Sequence, residues 1–172
     1  NPAVTLAFSY LGEFDNSLVV PYIIAQFTGA IVGSILVWIV YKPHYDDSTD
    51  PESIRATFCT SPNIYKPLNN ALTEGIGTFI LMFGVLAISP AAATLGTLDA
   101  LPVSLLLLGI GLSLGGPTGY AINPARDLGP RFAHFILPLR QKGNSGWNYA
   151  WVPVIAPVIG AVLAALVFNY VK

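Results

Sequence analysis

Four long apolar stretches are separated by polar ones along the chain. Residues 19–41, "VVPYIIAQFTGAIVGSILVWIVY", and residues 70–89, "NALTEGIGTFILMFGVLAIS", each approach the length a helix needs to cross a hydrocarbon core, about 20 residues. Residues 101–114 supply the core of a third span, and residues 151–171 a fourth that Lys172 closes. Trp38 and Tyr41 suit an interfacial belt at the end of the first span. Residues 42–68 carry four acids, three bases and four prolines and read as a long solvent-facing polar loop. Residues 139–148, "LRQKGNSGWN", read as a second one.

Two stretches fit neither class. Residues 1–11 are apolar but too short to span, and residues 123–137 are as short and hold Arg126, Asp127, Arg131 and His134. Both open on Asn-Pro-Ala: Asn1, Pro2 and Ala3 in one, Asn123, Pro124 and Ala125 in the other. Asn is a strong N-cap and Pro favours the first helical position, so each motif predicts a helix start. A half-length helix leaves non-helical backbone at membrane depth, which is tolerated only where it is buried in protein or lines a watery cavity. After each motif comes an Ala-x-x-x-Gly-Ala segment with an aliphatic run, beginning at Ala25 and at Ala156. Small residues at that spacing let helices pack closely in lipid.

Motif, half-helix and small-residue span therefore occur twice, the pattern of an internally duplicated membrane protein. Residues 1–68 form the remainder of a first repeat: half-helix 1–11, span 19–41 and polar loop 42–68. Residues 69–172 form the second: spans 70–89 and 101–114, half-helix 123–137 and span 151–171. By that symmetry about two further spans are expected ahead of Asn1.

Composition narrows the function. Of the 172 residues 53% are hydrophobic and only 10% charged, against about 25% charged in an average soluble domain. Mean hydropathy is +0.62. A net charge of −1 offers no basic field for nucleic acid. The single cysteine, Cys59, precludes an intrachain disulfide and reads as inert. His44 and His134 show no ligand spacing and read as interfacial or loop residues, so neither a metal nor another cofactor is expected.

Two such motifs on half-helices, in this hydropathy context, resemble the aquaporins, or major intrinsic proteins, along the whole chain. "GYAINPARDLGPR" is similar to the second-motif segment of the glycerol facilitator branch, the aquaglyceroporins. Asp127, Arg131, Pro153 with Val154, and Gly111 stand where that branch carries Asp, a base, a Pro-aliphatic pair and Gly. Tyr120 departs from the Phe common there. The resemblance implies an all-α membrane protein, a right-handed helical bundle with inverted repeats and two re-entrant half-helices, here with four full spans. It also implies a homotetramer in the plasma membrane, with both polar loops outside and the termini in the cytoplasm. The positive-inside rule, applied to the Lys and Arg of those loops, points the other way.

A pore for a small polyol must replace the hydrogen bonds the solute loses, since each unreplaced hydroxyl costs about 2–7 kcal/mol. Asn1 and Asn123 would offer amide donors. The half-helix N-termini, each worth roughly half a positive charge, would repel cations and protons. Arg126 would present its fork to adjacent hydroxyls, with its spare donors met by carbonyls and acidic partners. Backbone carbonyls of Gly119, Tyr120 and Ala121 would accept from the solute; the Tyr120 ring would form an apolar wall and Gly111 would leave room. Glu74 reads as a brace for irregular backbone, with a proton-relay role as the alternative. Asp127 reads as a partner for a base such as Arg131.

The expected function is passive diffusion of glycerol and similar uncharged solutes. A mainly water-conducting pore is the first alternative. An ion-coupled transporter would need more ionisable residues than the spans offer, and an enzyme would need a nucleophile–base pair or metal ligands.

Overall fold

The computed structural model describes residues 1–171, with side chains for all of them except residues 90–93. Its elements are helical: α1 (Pro2–Tyr10), α2 (Asn16–Val40), α3 (Lys42–Asp47), α4 (Pro51–Ala56), α5 (Pro67–Ala92), a 3₁₀ segment (Ala93–Leu98), α6 (Leu101–Thr118), α7 (Pro124–Ile136) and α8 (Val152–Val171). Among the described residues, four segments are long and apolar enough to cross a membrane: Asn16–Val40, Pro67–Ser89, Thr94–Thr118 and Val152–Val171. Lys172 lies outside the described residues.

Local chemistry explains where the helices begin. Asn1 Oδ1 accepts from Ala3 N at 3.1 Å, and Asn123 Oδ1 from Ala125 N and Arg126 N at 3.0 and 3.2 Å. Each satisfies orphan N–H groups of a helix opened by Pro. Asp15 and Asp50 cap α2 and α4 in the same way. α6 stops at Gly119, whose φ of 78° sets the left-handed turn common at helix ends.

Packing depends on missing side chains. α5 and α8 run side by side, and a Cβ on Gly160 would collide with the Gly75 carbonyl. A Cβ on Gly129 of α7 would come within 2.7 Å of Ala30 Cβ on α2. Where lipid rather than water surrounds the bundle, such close backbone approach is a main source of helix association. Ala3 and Ala7 of α1, Met82 and Leu86 of α5, and Ala161, Ala164 and Ala165 of α8 form the central core.

α7 is built inside out. Asp127, Arg131 and His134 are fully buried, whereas Phe132, Phe135 and Ile136 on the same helix are exposed. That inversion suits a helix whose outer face meets apolar surroundings and whose inner face meets polar loops.

Two expectations are corrected here. Residues 42–68 are not simply a solvent-facing loop: they hold α3 and α4, and Tyr45, Ile54 and Phe58 bury themselves against Ala133, Leu137 and Leu139. Those apolar residues are spaced too irregularly among acids and prolines to announce a core. His134 is not interfacial either. It has no exposed surface; its Nδ1 is 2.8 Å from Ser145 Oγ, and its ring stands edge-on to Phe58 at 5.3 Å.

Cys59, next to Phe58, is buried as well, and burial pushes its thiol up to about 11. Because the thiolate is the reacting species, maleimide at neutral pH should leave Cys59 unmodified in the folded protein and label it fully after denaturation. Rapid labelling of the folded protein would contradict this placement.

Candidate pore and filter

The N-termini of α1 and α7 meet. Asn1 Nδ2 donates to Ile122 O at 2.8 Å, joining residues 121 positions apart. Between α6 and α7 the chain crosses in non-helical backbone, with positive φ at Gly119 (78°), Tyr120 (39°) and Ile122 (43°). For Ile, a β-branched residue, this conformation is strained. The surroundings hold it: Glu74 Oε1 accepts from Ala121 N at 2.9 Å and Oε2 from Ile122 N at 2.7 Å, and Asn1 secures the Ile122 carbonyl. Among the described residues, the carbonyls of Gly119, Tyr120 and Ala121 receive no hydrogen bond.

This segment borders a groove of about 560 Å³ lined by Asn1, Tyr120, Ala121, Ile122, Asn123 and Arg126 on one side. Val4, Leu81, Val85, Val103 and Leu107 complete it as an apolar wall. Sequence reasoning missed that wall. α5 and α6 are apolar all round, so nothing in their pattern distinguishes the groove-facing side from the others.

Other expected residues stand behind the lining. Gly111 backs the Tyr120 ring: a Cβ there would lie 3.1–3.4 Å from ring carbons Cζ, Cε2 and Cε1. A Cβ on Gly119 would lie 3.4 Å from Thr60 Cβ and Cγ2. Pro2, Ala3, Pro124, Ala125 and Pro153 are buried helix positions away from the groove.

Arg126 differs from expectation. Its guanidinium has no hydrogen-bond or carboxylate partner among the described residues and lies 5.9 Å from the Tyr120 ring centroid. The nearby acids are committed elsewhere, Glu74 to the filter backbone and Asp127 to Arg131. The Arg126 donors are therefore free to face the groove.

Asp127 and Arg131 form a buried pair that clamps the outer side. Arg131 Nε donates to Asp127 Oδ1 at 2.9 Å and Nη2 to Asp127 Oδ2 at 3.0 Å and to Thr60 O at 2.9 Å. Its Nη1 donates to Ser145 O and Gly146 O at 2.7 and 2.9 Å. Asp127 Oδ2 also accepts from Thr60 N at 2.7 Å. Every guanidinium N–H is thus used, and α7 is tied to both polar connections.

Long apolar helices surrounding two half-helices that meet end to end, with a polar line facing an apolar wall, define a membrane pore protein. A model of the Major intrinsic protein family matches residues 1–168, and the chain belongs to that family. It is 51% identical to the probable glycerol uptake facilitator protein of Thermotoga maritima, over 99% of this chain and 72% of that one. It is 50% identical to the glycerol uptake facilitator protein of Streptococcus pneumoniae, over 98% of this chain and 72% of that one. Among solved structures, the aquaglyceroporin from Plasmodium falciparum matches with a TM-score of 0.86 at 31% identity, covering 99% of this chain and 71% of that one.

Proposed function

We propose that the chain forms pore wall and filter of a plasma-membrane channel for passive diffusion of glycerol and similar small uncharged polyols. The observation that carries this reading is the groove itself. Asn1, Asn123, Arg126 and the segment that carries the unpaired carbonyls of Tyr120 and Ala121 give the groove a polar lining, and Val4, Leu81, Val85, Val103 and Leu107 give it an apolar one. A polyol has the same two sides, hydroxyls along one edge and C–H groups along the other. The names of the relatives support that solute class.

Ion exclusion follows from the meeting of the half-helices. Their two N-terminal dipole ends place about one positive charge in total where they meet, and Arg126 adds a full one. No Asp or Glu lines the groove among the described residues, which argues against an ion-coupled transporter. Water shares the path. Residues 1–68 are read as the remainder of a first repeat and residues 69–172 as the second, in a channel that assembles as a homotetramer.

Arg126→Ala tests the filter assignment. A hydrogen bond to a charged group is worth about 1.5–3 kcal/mol, so losing the fork should lower the glycerol-to-water permeability ratio by at least about tenfold, the equivalent of one such bond, and raise proton leak. Tyr120→Phe keeps the ring and should shift the ratio less. An unchanged ratio and leak in Arg126→Ala would remove Arg126 from the filter.

A further inference from the structure

The polar lining of the groove is rich in donors and poor in acceptors. Arg126 brings a guanidinium without a partner, and Asn123 Nδ2 makes no hydrogen bond among the described residues. The amide oxygens are engaged: Asn123 Oδ1 accepts from Ala125 N and Arg126 N, and Asn1 Oδ1 from Ala3 N. The main-chain carbonyls of Asn1, Ile122 and Asn123 are engaged too, by Thr5 N, Asn1 Nδ2 and Asp127 N. What remains at this end of the groove is the carbonyls of Tyr120 and Ala121 and one side-chain oxygen. That oxygen is the Tyr120 hydroxyl, which makes no hydrogen bond among the described residues.

A hydroxyl both donates and accepts. Arg126 and Asn123 can serve the oxygens of a polyol, but each of its hydroxyl protons needs an acceptor as well, and a bond left unmade away from water is costly. Two carbonyls serve two protons, and glycerol carries three. We propose that Tyr120 Oη is the third acceptor of the filter and contacts the solute directly, so that the hydroxyl as well as the ring sets solute preference. The ring is held for this task. Its residue has a φ of 39°, and the Glu74 bonds to Ala121 N and Ile122 N secure the backbone just beyond it. The ring lies along α6, where a Cβ on Gly111 would come within 3.1 Å of Cζ and one on Gly115 within 3.2 Å of Cδ1. Tyr120 nevertheless stays 37% exposed, and the Arg126 guanidinium carbon is 5.9 Å from its ring centroid, so a small solute in the groove can meet both. This contact rests on the channel reading.

The test is stopped-flow permeability to water, glycerol and propane-1,2-diol in proteoliposomes holding the intact protein, wild type or Tyr120→Phe. Tyr120→Phe should lower glycerol permeability about fivefold, the equivalent of one neutral hydrogen bond. Propane-1,2-diol has two hydroxyl protons to place, which the carbonyls serve, and should lose less than about twofold on the same scale. Water permeability at the wild-type value would show that the variant pore is folded and open. A hydroxyl that only narrows the pore gives the opposite sign, because its removal would raise glycerol permeability. That result would overturn the proposal, as would an unchanged glycerol permeability or an equal loss for the two solutes. Wild-type vesicles that take up glycerol no faster than empty ones would sink the channel reading itself, and the contact with it.

Discussion

Arg131→Ala should cost about 3–5 kcal/mol of stability, because it leaves Asp127 as an uncompensated charge in a fully buried site. The same change removes the donors that hold Thr60, Ser145 and Gly146, so both polar connections lose their attachment to α7. Removing both charges is the informative control. In Asp127→Ala/Arg131→Ala no buried charge is stranded, and part of the loss should be recovered. Arg131→Lys keeps the charge but places its donors on a single nitrogen, which cannot reach carbonyls on two segments and a carboxylate at once; it should fall between wild type and Arg131→Ala. Thermal unfolding in detergent, read through tryptophan fluorescence, ranks the four proteins. A double variant less stable than the single one by the full cost of a second deletion would refute the stranded-charge account.

Gly111→His should abolish glycerol conduction while leaving the fold intact. Any side chain at residue 111 meets the Tyr120 ring, whose carbons already stand 3.1–3.4 Å from the Cβ position. The ring is confined on the neighbouring turn too, 3.2 Å from a Cβ on Gly115. With no retreat toward α6, an imidazole displaces the ring into the groove or enters the groove itself. Glycerol flux in proteoliposomes should drop to that of empty vesicles, with water flux reduced less because water is smaller. Gly111→His/Tyr120→Ala should recover glycerol flux. Unaltered glycerol entry in the single variant would show that the Tyr120 ring does not border the conducting path.

Much of this arrangement was legible in the residues. The Asn-Pro pairs announced both half-helices because capping and the fixed φ of proline are local effects, and Asn1 and Asn123 do cap α1 and α7. The four spans followed from run length, although α6 reaches Thr118, four residues beyond its apolar core. Residues 42–68 were less legible. The burial of Tyr45, Ile54 and Phe58 depends on Ala133 and Leu139, far away in sequence. His134 was misplaced for the same reason, since its partner Ser145 belongs to a stretch that composition marks only as polar. The exposure of Arg126 to the groove depends on a competition among acids that spacing does not display: Asp127 adjoins Arg126 in sequence, yet its carboxylate faces Arg131, one helical turn on.

Family membership fixes the architecture, and the groove makes the chemical claim: a polar line facing an apolar wall, for solutes without charge. The most direct test is stopped-flow light scattering on proteoliposomes holding the intact wild-type protein under an inward glycerol gradient, with a pH-sensitive dye inside. The account predicts glycerol entry far faster than into empty vesicles, not saturating as a carrier would, with internal pH steady under an imposed proton gradient. Fast water flux with glycerol entry no better than that of empty vesicles would contradict it, as would glycerol entry accompanied by proton movement.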